Sequence, residues 1–291
     1  MNDPNLMILA GGVSSRMKRS IESRTDLDPR LKSEAQSKSK SMITVGQGGR
    51  PFLDYLLYNA REAGYEEVLI IVSDKDTSIR DYYGKKQTGN GFHGLRISYA
   101  VQNIPQGRSK PLGTADAVLQ GLNARTDWVG KQFTVCNSDN LYSRKAFSIL
   151  LESSYPNAMI DYDRDALGFE ESRVHKFAVT HKDKDGFLTA ILEKPDNKEI
   201  EFAKGESGRI GVSMNIFRFS HDDIHPYLIE VPLHPVREEK ELPSAITMMI
   251  KDHPQSVFAY PLSERVPDMT SLLDFESVKD YVSAEFKDFK W

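Results

Sequence analysis

Leu6-Met7-Ile8-Leu9-Ala10, followed at once by Gly11-Gly12-Val13-Ser14-Ser15-Arg16-Met17, decides how this chain is read. A short apolar run ending in two glycines predicts a buried strand that feeds a tight loop, where an α/β sheet presents backbone N–H groups to a ligand. The glycines let main chain approach a triphosphate closely, Ser14 and Ser15 can donate hydrogen bonds, and Arg16 offers a planar multi-donor head. Lys40 adds a second cation further on. The run is neither G-x-G-x-x-G nor G-x-x-x-x-G-K-[ST], so dinucleotide and P-loop readings lose their support.

Outward from this loop, apolar runs alternate with amphipathic segments. Phe52 to Ala63 has a helical pattern, Val68 to Val72 a strand pattern, Thr77 to Tyr83 a helical one and Leu95 to Val101 a strand one. Thr114 through Leu122, Phe133 to Cys136 and Ser143 to Leu151 continue the rhythm as helix, strand and helix. This is the cadence of βαβ units, and it predicts an α/β fold: a Rossmann-like mixed, mostly parallel sheet with helices on both faces. Ligands then belong beyond the strand C-termini. Period-two alternation over Val174 to Thr180, Phe187 to Leu192 and Val212 to Phe219 predicts antiparallel or mixed strands added to the same sheet. Helical patterns over Glu239 to Ile250 and Thr270 to Ala284, with apolar Val257 to Tyr260 between them, close a single domain over 1–291. The stretch 18–41 has few large apolar residues and reads as a polar loop, either a solvated connection or a mobile cover over the phosphate site.

Composition excludes several classes. The formal charge of -4 supplies no basic field for a nucleic acid polymer or an anionic membrane. The single Cys136 rules out an internal disulfide and a multi-cysteine metal site, and it reads as a buried structural thiol. No run approaches the ~20 apolar residues that span a bilayer, and nothing resembles a signal peptide, so the expected compartment is the cytoplasm. The histidines read as structural or exposed residues.

The opening Leu9-Ala10-Gly11-Gly12-x-Ser14-x-Arg16-Met17 with Lys40-x-Met42-x-x-Val45 resembles the sugar-phosphate nucleotidyltransferase family. Four later motifs match that family in order: Pro111-Leu112-Gly113-Thr114, Asn137-Ser138-Asp139-Asn140, Glu193-Lys194-Pro195 and Pro267-Asp268-Met269-Thr270. The resemblance implies the nucleotide-diphospho-sugar transferase fold and an Mg²⁺-dependent transfer of a nucleoside monophosphate from an NTP to a sugar 1-phosphate, with pyrophosphate released. It assigns the nucleotide to Ala10, Gly11, Gly12, Ser14, Ser15, Gly113 and Thr114, and the metal to Asp139 and Asp268. Arg16, Lys40 and Lys194 become the catalytic cations, and Glu193, Gly211 and Asn215 the acceptor contacts, with Asn215 also a substitute metal ligand. A homo-oligomer follows only by analogy.

The chain departs from the pattern in the base loop. Where members that take uridine or thymidine nucleotides usually carry glutamine, five residues before the loop glycine, this chain has Arg108. A donor-only side chain suits cytosine or guanine. Gln102 and Gln106 stand nearby and could supply the amide instead, and Arg108 or Lys110 could hold the triphosphate. Other readings stay open: a cytidylyltransferase acting on phosphocholine, a non-catalytic nucleotide-binding regulator, and a glycosyltransferase, although Asn137-Ser138-Asp139 lacks the first carboxylate of an Asp-x-Asp run.

Overall fold

The computed structural model describes residues 3–12, 17, 28–169, 177–193, 195–204 and 208–291. Its centre is the run of Val, Ile and Leu that the sequence places in strands. Strands β1 (Asn5–Leu9), β2 (Glu67–Ser73), β4 (Leu95–Gln102) and β5 (Gln132–Asn137) lie side by side, with β1 parallel to both β2 and β5, and β2 parallel to β4. Short β3 (Asn90–Phe92) closes one edge antiparallel to β4.

The other side is where the alternating segments settle. β9 (Gly211–Ser220) runs antiparallel to β5 and to β6 (Ala158–Asp163), and β10 (Phe258–Leu262) lies parallel to β6 at the far edge. A hairpin of β7 (Ala178–Lys182) and β8 (Leu188–Leu192) joins through β7 to the start of β9. The main path of this mixed sheet is β10-β6-β9-β5-β1-β2-β4-β3.

Alternate residues of each central strand feed opposite faces, which divides the core in two. Leu6, Ile8, Val68, Ile70 and Val72 pack under helices α2 (Phe52–Glu62), α5 (Arg144–Leu151) and α9 (Phe275–Glu285). Met7, Leu69, Ile71, Phe133 and Val135 pack under α4 (Thr114–Ala124), α7 (His221–Glu230) and α8 (Leu242–Asp252). Each fully buried side chain of this kind contributes about 1.5–3 kcal/mol relative to exposure. Tight contact between the layers shows at Gly121 of α4, where a Cβ would lie 2.7 Å from Met7 Cε and 2.8 Å from Ile71 Cδ1.

Two details differ from the sequence reading. Part of the polar stretch is helix α1 (Pro29–Ser37), capped by the Asp28 side chain on Arg30 N and carrying Pro29 in its first turn. Its attachment is largely polar: Glu34 accepts from Lys38 at 2.7 Å and from both the backbone and hydroxyl of Thr44 at 2.9 Å, with Ala35 buried beneath. Residues 18–27 of the same stretch lie outside the described residues. The helix expected from Thr270 begins instead as a 3-10 turn, Leu272–Asp274, before α9. Short α3 (Ser78–Tyr83) and α6 (Asn197–Ala203) complete the set, the latter with a capping box between Asp196 and Glu199.

Candidate functional site

Two cavities open along the C-terminal ends of β1 and β5. The smaller, about 270 Å³, is walled by Leu9, Ala10, Gly11 and Gly12 after β1, by Gln102 at the end of β4, by Gly113 and Thr114 at the start of α4, and by Lys40. The larger, about 700 Å³, is walled by Ser213, Met214 and Asn215 of β9, by Phe169 and Phe177, and by the segment around Asp268. Asn137, the last residue of β5, and Asp139, just past it, line both. Asp139 therefore stands where the two chambers meet.

The strand geometry explains that placement. β5 pairs with β1 as far as Asn137 opposite Leu9, and Ser138 N then donates to Leu9 O at 3.2 Å, so the chain leaves the sheet beside the glycine loop. Asp268 is brought to the same place by main chain. Asn140 and Asp268 form an isolated antiparallel bridge, Leu141 N donates to Pro267 O, and Met269 N donates to Asp139 O, both at 2.8 Å. The Thr270 hydroxyl lies 2.7 and 2.8 Å from the two carboxylate oxygens of Asp268 and orients them.

Lys40 comes from the turn Lys40–Met42, anchored by Ser41, Met42 and Ile43, all buried. Its ammonium makes a short ion pair with Asp139 Oδ2. The carboxylate thus already carries a cation. No cluster of three or more His, Cys, Asp or Glu suited to a metal occurs among the described residues. Two aspartates lining one cavity nonetheless suit Mg²⁺, which takes one or two carboxylates and fills its octahedron with phosphate oxygens and water. Directly beneath, burial, and behind it the charge of Asp139, pushes the Cys136 thiol well above its ordinary range. Cys136 is therefore a neutral core residue and not a nucleophile.

The loop before α4 is set by glycine. Gly113 has φ +107°, and a Cβ there would lie 2.5 Å from Lys240 O. That close approach lets Ala115 N donate to Lys240 O and the Thr114 hydroxyl accept from Leu242 N, fastening the loop to the start of α8. Asn215 is the other special backbone position. It adopts φ 57° inside β9, where the pairing with β6 shifts register between Met159 and Asp161. A non-glycine residue held in the left-handed region marks a bulge that re-aims a side chain, here one that lines the larger cavity.

Not every expected residue is gathered. Arg108 lines neither cavity; its guanidinium donates to Glu238 O at 2.6 Å, drawn away by the loop 237–239. Gln102, named beside it as an alternative, is buried in the wall of the smaller cavity. Gly211 does not open a path for an acceptor, since a Cβ there would lie 2.0 Å from Asp161 Oδ1 and 2.6 Å from Lys182 Nζ. Its missing side chain makes room for the buried Asp161 carboxylate, which Lys182, Arg209 and Thr180 surround. Glu193 pairs with Arg237 at 3.5 Å and lines neither cavity. Ser14, Ser15, Arg16 and Lys194 lie outside the described residues. Sequence reasoning did not single out Asn137, which borders both cavities, or Asp274 and Phe177 of the larger one. Asn137 was within reach, as the polar residue that follows an apolar run ending beside the glycine loop.

A double-chambered cleft at the strand ends of a mixed α/β sheet is where folds of this class bind their ligands. Within that class, residues 29–261 match the model of the nucleotidyl transferase family, and the chain belongs to it. The glycine loop and Asp268 fall outside the matched span. The chain is 24% identical over 265 residues to glucose-1-phosphate adenylyltransferase 2 of Pseudoalteromonas atlantica, covering 90% of this chain and 58% of that one. It is 23% identical over 246 residues to the bifunctional protein GlmU of Staphylococcus epidermidis, covering 84% and 45%. The chain thus spans about half the length of these relatives. A solved structure of UTP-bound UGPase from Acinetobacter baumannii shares the fold, with TM-score 0.68, 19% identity and coverage of 98% and 97%.

Proposed function

We propose that this chain transfers a nucleoside monophosphate from an NTP to a small phosphorylated acceptor, a sugar 1-phosphate, and releases pyrophosphate. The observation that carries the reading is the sharing of Asp139 between the two cavities. A group there can meet both the α-phosphate of a nucleotide in the smaller chamber and the phosphate of an acceptor in the larger. In the smaller chamber the glycine loop gives triphosphate oxygens close access to main chain, and Lys40 supplies charge toward the pyrophosphate that leaves. In the larger chamber Asn140, Ser213, Asn215 and Thr270 form a polar wall that suits sugar hydroxyls.

Mg²⁺, held by Asp139 and Asp268, would withdraw charge from the transferring phosphoryl group. Lys40, which pairs with Asp139 and lines the same cavity, would present its ammonium to the leaving pyrophosphate. A phosphate monoester is already ionised near neutral pH and needs no general base. Positioning and charge stabilisation therefore supply most of the acceleration.

One observation favours a second acceptor class. Phe169 and Phe177, with ring centroids 5.2 Å apart, face the larger cavity together with Asp268 and Asp274. Rings beside carboxylates suit a quaternary amine such as the choline of phosphocholine.

The test is pyrophosphate release with Mg²⁺, each NTP and dTTP, and a panel of sugar 1-phosphates and phosphocholine, beside Asp139→Ala. Acceptor-dependent release that disappears in the variant supports the assignment. NTP binding with no turnover on any acceptor would move the chain to a regulatory role.

A further inference from the structure

The hydrogen-bonded ladder between β5 and β9 runs from Gln132 opposite Ser220 to Cys136 opposite Ile216, and there it stops. The next pair in that register would be Asn137 opposite Asn215, both in the wall of the larger cavity. A tyrosine hydroxyl bridges the two strands instead. Tyr142 Oη accepts from Asn137 N at 3.4 Å and donates to Met214 O at 2.6 Å, with Asn215 O 3.3 Å and Asn140 Oδ1 3.4 Å away. Successive carbonyls of a regular strand point to opposite sides. Two of them near one oxygen require the break that Asn215 supplies at φ 57°. On the β6 side of the same break, the single residue between Met159 and Asp161 faces three, Met214 to Ile216.

The hydroxyl is fixed in place. Tyr142 is fully buried, and burial raises its phenol well above the ordinary range, so it keeps its proton. Asn59 Nδ2 of α2 donates to Tyr142 O at 2.8 Å, and the ring packs edge-on against Phe147 with centroids 6.0 Å apart. The two strands it joins are held unequally. Asn137 also pairs with Leu9 of β1, and Ser138 N bonds Leu9 O just beyond. The bulge has a 3.2 Å bond from Asn215 N to the Ser213 hydroxyl, which lies within its own strand.

We propose that Tyr142 is a positioning residue for the transfer: its hydroxyl props the β9 bulge against the end of β5 and so sets how far the acceptor wall at Asn215 stands from Asp139. The inference rests on the reading of the larger cavity as the acceptor site. Without the hydroxyl, Met214 O loses its donor in a buried place, and the bulge shifts to find another. Asn137 stays in register with β1. The acceptor wall therefore moves while the nucleotide wall does not. A displacement on the order of 1 Å at reacting groups costs up to about 10²-fold in rate.

Tyr142→Phe deletes the hydroxyl and keeps the ring. Tyr65→Phe is its matched control: Tyr65 is also fully buried, packs on Phe147 at 5.5 Å and bonds Thr134 Oγ1 at 2.6 Å, but lines neither cavity. For both variants Tm, equilibrium NTP binding, and acceptor KM and kcat from pyrophosphate release are measured beside the unsubstituted chain. Both should lower Tm. Tyr142→Phe should raise acceptor KM and lower kcat, each about tenfold, with NTP Kd changed less than about twofold. Tyr65→Phe should leave KM, kcat and Kd unchanged. Matching kinetic profiles for the two variants, or an NTP Kd that rises as much as acceptor KM in Tyr142→Phe, overturn the positioning role and leave the transfer reading standing. No turnover by the unsubstituted chain on any acceptor overturns the transfer reading itself, and the role with it.

Discussion

The two chambers that meet at Asp139 are built by different means. The smaller is framed by main chain: the turn after β1, the glycine-led start of α4 and the end of β5, all fastened to neighbours by backbone hydrogen bonds. The larger is framed by side chains carried on a bulged strand and on the segment from Arg265 to Val278. Main chain offers the same donors and acceptors whatever the residue, so it suits the triphosphate that every NTP shares. Side chains change with a single substitution, so on the proposed reading the larger chamber is the one that would set the acceptor.

Substitutions at the junction and in each wall should separate these contributions. Asp139→Ala removes the group both chambers share, and should lower turnover on the order of 10²–10³-fold, the scale of losing one charge-stabilising contact. Equilibrium NTP binding, measured beside pyrophosphate release, should change far less. If binding and turnover fall together, Asp139 serves only the nucleotide side. Gly113→Ala tests the main-chain wall: the added methyl meets Lys240 O in a left-handed backbone conformation. Stability should fall by about 1–3 kcal/mol, read as a lower Tm, with NTP affinity weakened more than acceptor affinity. Asn215→Gly tests the side-chain wall. It relieves a positive φ while deleting the amide, so acceptor KM should rise about tenfold with Tm unchanged or higher and NTP binding unaltered.

The contrast between the chambers also explains what could be read from sequence. The parallel strands were legible because Leu6 to Leu9, Val68 to Val72 and Phe133 to Cys136 are continuous apolar runs bounded by turn residues. Asp139 was legible as the carboxylate just past one of them. Its meeting with Asp268 depends on an isolated bridge at Asn140, which no periodicity announces, so only the ordered motifs of the family pointed there. Where Arg108 turns was not legible, because spacing along a long loop says nothing of it; the pull of Glu238 O decides that. Gly211 was read as a gap for a ligand when the gap is filled from within by Asp161. Helix α1 escaped because its attachment is largely polar, through the Asp28 cap and Glu34, and leaves little apolar period to detect.

That polar attachment gives the smallest expected effect. Burial raises the Glu34 pKa, but hydrogen bonds from Lys38 and Thr44 outweigh it and hold the carboxyl below its ordinary value. A lowered folded-state pKa stabilises above the ordinary carboxylate range and is lost as pH falls through the lowered value. Glu34→Gln should therefore reduce stability by about 1 kcal/mol at neutral pH. The difference from the unsubstituted chain should shrink to nothing in acid, as followed by thermal melts across pH.

Cys136 carries a consequence of another kind. As the chain's single thiol, fully buried in β5 between β1 and β9, it is a clock set at the middle of the sheet. A thiol reagent can reach it only when the central strands part, so the pace of modification counts openings of the whole molecule and ignores fraying at its edges. Asn137 and Asp139 follow it almost at once and border both chambers, so a ligand that holds them in place slows the same clock. Occupancy of the cleft can then be timed from inside the protein, with no label attached beforehand and no turnover required.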